Sequence, residues 1–159
     1  MKRTTIVEII SVLFIILFLY TAISKLMEYS VFKEQLAASP FLAPVASFVA
    51  PSLLAVEFLL ILLLAIPRWK LKGLYVSTAL MAIFTLYIIV MMFFADHLPC
   101  SCGGVLAELS WGQHIIFNFV FIALGIVGIA LEKKIRKTVE DKWKIVGTSS
   151  YIQYPPLEG

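Results

Sequence analysis

The sequence predicts an all-α integral membrane protein, folded as a four-helix transmembrane bundle. The chain of 159 residues is 61% hydrophobic and only 14% charged, whereas about 25% of the residues of a soluble domain are charged. Its apolar residues fall in four runs, each close to the roughly 20 residues that a helix needs to cross the hydrocarbon core. Its basic residues lie beside these runs and not in a patch interleaved with aromatic residues, so nucleic-acid binding is not indicated.

The four predicted spans together form one membrane domain, residues 1–132. They cover approximately residues 5–26, 42–66, 74–95 and 111–131. The second span is interrupted by a single charged residue, Glu57, and contains Pro51, which neighbouring helices can accommodate. The first span has a basic start like that of a signal peptide, but no small-residue cleavage site follows it cleanly, so we expect it to be retained.

The distribution of Lys and Arg predicts the orientation of the bundle. Lys2 and Arg3 precede the first span, three basic residues separate the second and third spans, and six more lie in the basic tail, residues 133–159. The opposite face carries only Lys25 and Lys33, with acidic residues beside them. Because cytoplasmic loops are enriched in basic residues, both termini are expected in the cytoplasm of a bacterium. Short connections then favour an up-down-up-down order in the inner membrane.

The connection between the first two spans is long enough for a helix of its own. Tyr29, Phe32 and Leu36 recur at helical spacing, with Lys33 and Glu34 on the other side. This pattern predicts a short amphipathic helix that lies in the membrane interface. It would cover the periplasmic end of the bundle.

Cys100 and Cys102, the two cysteines of the chain, lie in the segment Pro-Cys-Ser-Cys-Gly-Gly at residues 99–104. In an oxidising compartment, two thiols this close are expected to cycle between dithiol and disulfide. The two glycines allow the bend that a disulfide between these positions needs. Because such a disulfide would close a very short loop, it would stabilise the fold little. The pair therefore indicates redox exchange facing the periplasm.

Two other interpretations of the cysteine pair stay open. Thiolates bind Cu(I) or zinc, and His97, His114 and two methionines lie near the pair in sequence, but no spacing matches a complete ligand set and no metal site is predicted. The cysteines could also be ordinary loop residues. His97 also has two possible roles. As a cation it would favour the thiolate form of a nearby cysteine, and otherwise it would be an interfacial histidine at the end of a helix.

Trp111, His114 and Asn118 lie on one face of the fourth predicted helix. They could line a pocket beneath the cysteines, where His114 or Asn118 would donate a hydrogen bond to a quinone head group. The alternative is that they form hydrogen bonds between helices and hold the bundle together. No covalently bound cofactor is expected.

Glu57 lies near the middle of its predicted span, where a carboxylate is costly and usually has a function or a specific partner. A protonated Glu57 could bond to a hydroxyl group. It could relay protons released when the thiols are oxidised, and it could equally fix the register of the helices.

The sequence resembles the MauE/DoxX-like family over roughly residues 10–132. The helices contribute a general likeness, and the more specific part is the segment 99–104, which with the residues that follow it is similar to the redox-associated branch. The residues that carry the likeness are Leu17, Phe18, Leu19, Tyr20, Thr21, Ser24, Lys25, Leu26, Phe32, Leu36, Ser39, Pro40, Pro51 and Glu57, then Leu109, Ser110, Trp111, His114 and Asn118.

This resemblance implies a DoxX-like four-helix protein of the inner membrane. The methylamine-utilisation member of the family is implicated in disulfide formation in a periplasmic enzyme subunit, alongside a thioredoxin-like partner, and the wider group includes a subunit of a thiosulfate:quinone oxidoreductase. Analogous disulfide-generating membrane enzymes carry two cysteine pairs. This chain has one pair, so a second pair would have to be supplied by a partner.

The first functional hypothesis is a membrane thiol–disulfide redox protein. It would pass electrons between a periplasmic thioredoxin-like or substrate dithiol and a quinone, through Cys100 and Cys102. The second is a non-catalytic accessory subunit of a larger bacterial inner-membrane complex, and the third is periplasmic copper handling. Membrane lipid, a thioredoxin-like protein and a larger membrane complex are the expected partners.

Overall fold

The computed structural model describes residues 3–39, 42–94 and 111–152, without the side chains of 94, 111 and 145–152. A 3₁₀ turn at Ala43–Val45 precedes the third helix. Within the described ranges, all regular structure is helical and four helices are long and apolar enough to cross a membrane, which confirms the prediction of a helical protein with four membrane-length helices for this part of the chain. The helices are α1 Arg3–Met27, α2 Tyr29–Ala38, α3 Ala46–Ala65, α4 Lys70–Phe94 and α5 Trp111–Ile152.

Consecutive membrane-length helices run antiparallel. The short connection 66–69 turns the chain back on itself, so that a Cβ added at Gly73, at the start of α4, would lie 3.1 Å from Leu64, at the end of α3. At the same end of the bundle, a Cβ at Gly128 of α5 would lie 3.2 Å from Ile10 of α1 and 3.4 Å from Leu74 of α4. The start of α1, the end of α3, the start of α4 and the later part of α5 therefore meet at one end.

The main core lies between α1, α3, α4 and α5. Apolar residues of α1 recur every three or four positions, which places them on one face of the helix. Phe14 at the centre of this face contacts Phe121 of α5 edge-to-face, with ring centroids 5.4 Å apart. Because lipid is as apolar as these side chains, close packing rather than water exclusion holds them together. The buried core residues are Val7, Ile10, Phe14, Leu17, Phe18, Leu60, Leu64, Leu74 and Met81.

Helices α4 and α5 approach each other most closely at Gly125. A Cβ at this position would clash with the hydroxyl of Thr78, which donates a hydrogen bond to the carbonyl of Leu74 at 2.7 Å. Small residues at helix interfaces allow this close approach in membrane proteins. Gly125 is therefore a packing residue.

The predicted amphipathic helix is confirmed as α2. Its buried residues, Phe32 and Leu36, pack against Ala46 and Ala50 of α3. Ser39, which follows α2, accepts a hydrogen bond from the Tyr87 hydroxyl at 2.9 Å and lies 3.9 Å from the sulfur of Met91. Helix α2 is thereby fixed to the end of the bundle at which α4 ends.

Two boundaries differ from those expected from hydropathy. Lys70 and Lys72, predicted in a connection, lie in the first turn of α4, and α5 continues past residue 131 as one helix to Ile152. Arg136 of this extension donates to the carbonyls of Pro67 and Arg68 at 3.1 and 3.2 Å. Hydropathy marks where a helix leaves the apolar layer and not where its hydrogen bonding stops, so the helix extends beyond the apolar run.

Candidate functional site

A cavity with several polar side chains lies inside the bundle, between α1, α3, α4 and α5. Water-sized molecules can occupy about 60 Å³ of it, which is room for a few waters. Thr21, Lys25, Glu57, His114 and Asn118 supply its polar lining. Its apolar wall consists of Leu17, Phe18, Leu53, Leu80, Met81, Phe84 and Phe117.

A buried ion pair forms one side of this cavity. The ammonium of Lys25 lies 2.5 Å from Oε1 of Glu57, and the two side chains are 7% and 6% exposed. Thr21 donates a second hydrogen bond to the same oxygen at 3.2 Å, and the ammonium lies 5.7 Å from the centre of the Phe32 ring. The paired charges avoid the full cost of an isolated charge in an apolar environment.

Lys25 is the site residue that sequence reasoning missed. The sequence analysis counts it only among the charges of the face opposite the termini, and the structure shows that it is buried and pairs with Glu57. The signal was its spacing, because Lys25 follows Phe18 by seven positions and Phe14 by eleven and so continues the buried face of α1. The hydrogen bond from Thr21 agrees with the prediction that Glu57 bonds to a hydroxyl group. The main partner of Glu57, however, is Lys25.

His114 and Asn118 lie one turn apart on α5 and are both buried, at 5% and 3% exposure. The imidazole packs against the Phe84 ring of α4, with ring centroids 6.3 Å apart. Nδ2 of Asn118 and Oε2 of Glu57 are buried, and neither has a hydrogen-bond partner among the described residues. One amide donor and one carboxylate acceptor are thus enclosed by the side chains around the cavity, without a bond from any described residue.

The structure brings together three of the residues singled out in the sequence, Glu57, His114 and Asn118. Trp111 is the first residue of α5, and its side chain lies outside the described residues. Cys100, Cys102 and His97 also lie outside them, in the segment 95–110. Redox exchange at the cysteines stays a prediction.

Among the residues that the structure describes, no three His, Cys, Asp or Glu side chains are grouped so that they could hold a metal ion. Because both cysteines fall outside that part of the chain, copper handling is neither supported nor contradicted by this finding.

Comparison with known proteins identifies a family. The family described as methylamine utilisation protein MauE matches residues 3–131. No curated protein and no solved structure matches the chain. The matched range begins with α1 and ends within α5, so it contains every residue that lines the cavity.

Proposed function

Because this chain belongs to the family of the methylamine utilisation protein MauE, we propose that it is a membrane thiol–disulfide redox protein. It is a multi-pass membrane protein. Its cysteine pair would exchange with a dithiol of a periplasmic thioredoxin-like protein or substrate, and a quinone would be the electron acceptor.

The exchange follows ordinary thiol–disulfide chemistry. A thiolate of the partner attacks the Cys100–Cys102 disulfide and forms a mixed disulfide, and the second thiolate of the partner releases the reduced pair. Reoxidation of Cys100 and Cys102 removes two electrons and two protons, which convert the quinone to a quinol. His97 would favour the thiolate form of the nearby cysteine.

The observation that carries the proposal is the grouping of Glu57, His114 and Asn118 around one cavity, which is lined by the middle of α4 and the first turns of α5. The cysteine segment joins Phe94 to Trp111, and His114 is one turn into α5. The cysteines are thus tethered to the end of the bundle that holds these polar groups. In this proposal Trp111, His114 and Asn118 bind the quinone head group, and Glu57 relays protons.

The proposed location is the bacterial inner membrane, in a DoxX-like up-down-up-down arrangement with both termini cytoplasmic. The distribution of basic residues supports this orientation. The start of α1, the 66–69 connection and the basic extension of α5 lie at one end of the bundle, which is the cytoplasmic end in this proposal. Arg136 of the extension contacts that connection. The cysteine segment is then periplasmic.

Trapping of mixed disulfides tests the thiol chemistry. Cys100→Ser and Cys102→Ser are expressed separately in the native host, and periplasmic proteins that become attached through a reducible bond are identified by mass spectrometry. We expect one of the two variants to accumulate an adduct with a protein that carries a dithiol. The proposal is wrong if neither variant forms one.

A non-catalytic accessory subunit is the second candidate. It is favoured by the extension of α5, on which Val139 and Trp143 are 50% and 71% exposed and could contact another protein. The Cys100→Ser/Cys102→Ser double variant separates the two candidates, because an accessory subunit keeps its full effect on the host pathway and a redox protein loses it.

A further inference from the structure

A second, apolar cavity lies between α2, α3 and α4. About 200 Å³ of it is open to water-sized molecules, against about 60 Å³ in the polar cavity. Lys25, Leu53, Leu80 and Phe84 line both cavities. The other described residues that line the apolar cavity are Phe32, Leu36, Leu42, Val49, Ile83 and Tyr87.

The polar groups beside the apolar cavity are engaged elsewhere. Of its described lining residues, only Lys25 and Tyr87 have polar side-chain tips. The ammonium of Lys25 bonds to Glu57, and the hydroxyl of Tyr87 donates to Oγ of Ser39 at 2.9 Å. The surface of the cavity is almost wholly apolar, so these two residues contribute the methylene stem of the lysine and the ring of the tyrosine. A ligand in this space meets hydrocarbon.

The apolar cavity runs along the membrane-length helices. Its lining on α4 extends from Leu80 to Tyr87, and seven residues of an α-helix correspond to about 10 Å. Its lining on α3 extends from Val49 to Leu53 in the same part of the bundle. The space is therefore aligned with the direction in which lipid chains lie in a bilayer.

Ile83 marks the opening of the apolar cavity. It lines the cavity and is nevertheless 66% exposed, so the cavity opens outward beside this residue. Ile83 lies at the middle of α4, which extends from Lys70 to Phe94. The middle of a membrane-length helix lies in the hydrocarbon core of the bilayer. The opening therefore faces the acyl chains of the surrounding lipid.

We propose that the apolar cavity binds one acyl chain of a membrane phospholipid. The chain enters beside Ile83 and lies along α4 between α2 and α3, and the head group of the lipid stays at the interface at the level of α2. Three observations carry this assignment: the apolar lining, the alignment with the helices and the opening at the depth of the hydrocarbon core. The site does not depend on thiol exchange at the cysteines.

Other occupants fit these observations less well. Water would lose hydrogen bonds in the apolar cavity, since such cavities stay dry and take up apolar molecules. An empty cavity would deprive the side chains in its walls of van der Waals partners. A single apolar side chain from a second copy of the protein would fill only part of a space that follows α4 for two turns. A chain of methylene groups fills it along its whole length.

Native mass spectrometry of the full chain tests the site. The chain is reconstituted with a total lipid extract of the host membrane and washed in lipid-free mild detergent, and the retained mass is measured. We expect one phospholipid to remain. Ile83→Trp at the opening and Val49→Phe inside the cavity should each lower the retained fraction about tenfold, the effect of losing the burial of about two methylene groups. Ile126→Trp, at a position of α5 that is 58% exposed and lines neither cavity, is the control and should change nothing.

Photolabelling of the unaltered chain avoids any effect of a variant on folding. In phosphatidylcholine vesicles, a phosphatidylcholine with a diazirine in the middle of its acyl chain should label Leu53 or Leu80, which are half-buried walls of the cavity. The same lipid with the diazirine on its head group should not label them. The site is refuted if the chain label falls on exposed residues only, or if the retained mass is absent or belongs to an isoprenoid lipid.

Discussion

Lys25 of α1 donates a hydrogen bond to Glu57 of α3 across 2.5 Å, inside a bundle of membrane-length helices. The two charges neutralise each other in a setting where either alone would be costly. The pair also sets the axial register of the two helices, since a shift of one turn, about 5.4 Å, would separate the charged groups.

Removing one partner of this pair should destabilise the protein strongly. Lys25→Met leaves a buried carboxylate without its counter-charge, which costs about 3 to 5 kcal/mol in buried pairs. The double variant Lys25→Met/Glu57→Leu should recover most of the loss, because no charge remains buried. Unfolding by denaturing detergent, followed by circular dichroism, measures both. Lys33→Met, at an exposed position of α2, is the control, and a double variant no more stable than the single one would argue against this account.

Gly125 should tolerate no large side chain. Gly125→Leu forces the new side chain against Thr78 and should separate α4 from α5 at a cost of about 1 to 3 kcal/mol, typical of overpacking. Gly112→Leu is the matched control on the same helix, because a Cβ at Gly112 meets nothing within 4 Å. Thermal stability in detergent measures the difference, and equal effects of the two substitutions would contradict close packing at Gly125.

The cysteines should be accessible from the periplasm. After mild reduction of intact cells, a membrane-impermeant maleimide should label Cys100 and Cys102. A chain without these cysteines that carries Thr138→Cys, in the exposed extension of α5, should be labelled only after the membrane is permeabilised. The reverse pattern would invert the orientation and rule out exchange with a periplasmic dithiol.

His114 and Asn118 should affect electron transfer to quinone but not thiol exchange. His114→Ala or Asn118→Leu removes one hydrogen bond to the head group, so the quinone-dependent reoxidation of the cysteine pair should slow about tenfold, as expected for roughly 1.4 kcal/mol. Trapping of the mixed disulfide should be unchanged. Ile116→Ala, at a position of α5 that is 66% exposed, serves as the control.

If the two residues were only structural, their loss would lower stability without a specific effect on reoxidation. The rate of reoxidation is therefore measured alongside the midpoint of unfolding. A slower rate at an unchanged midpoint supports binding of the head group, and a parallel loss of both assigns His114 and Asn118 to packing.

Much of the fold could be predicted because the relevant signals are local. A run of apolar residues fixes the presence of a membrane-length helix, since the backbone must satisfy its own hydrogen bonds in lipid. The spacing of Phe32 and Leu36 likewise fixes the buried face of α2. The end of α5 was less predictable, because its helical hydrogen bonding continues through a charged stretch that hydropathy excludes.

The candidate site was predictable only in part. Glu57, His114 and Asn118 stand out as polar residues in apolar runs, and the structure places all three in one cavity. Lys25 did not stand out, because a lysine near the end of a span is usually a snorkelling residue whose charge reaches the interface. Its burial follows from the position of α3 beside α1.

Hydropathy and residue spacing, which can be read one segment at a time, are enough to establish four membrane-length helices and a pair of closely spaced cysteines. The contact of Lys25 with Glu57 and the position of His114 and Asn118 at one cavity become known only when the helices are packed together. These contacts depend on how helices far apart in the chain rotate and slide against each other, and close packing at positions such as Gly125 sets that arrangement.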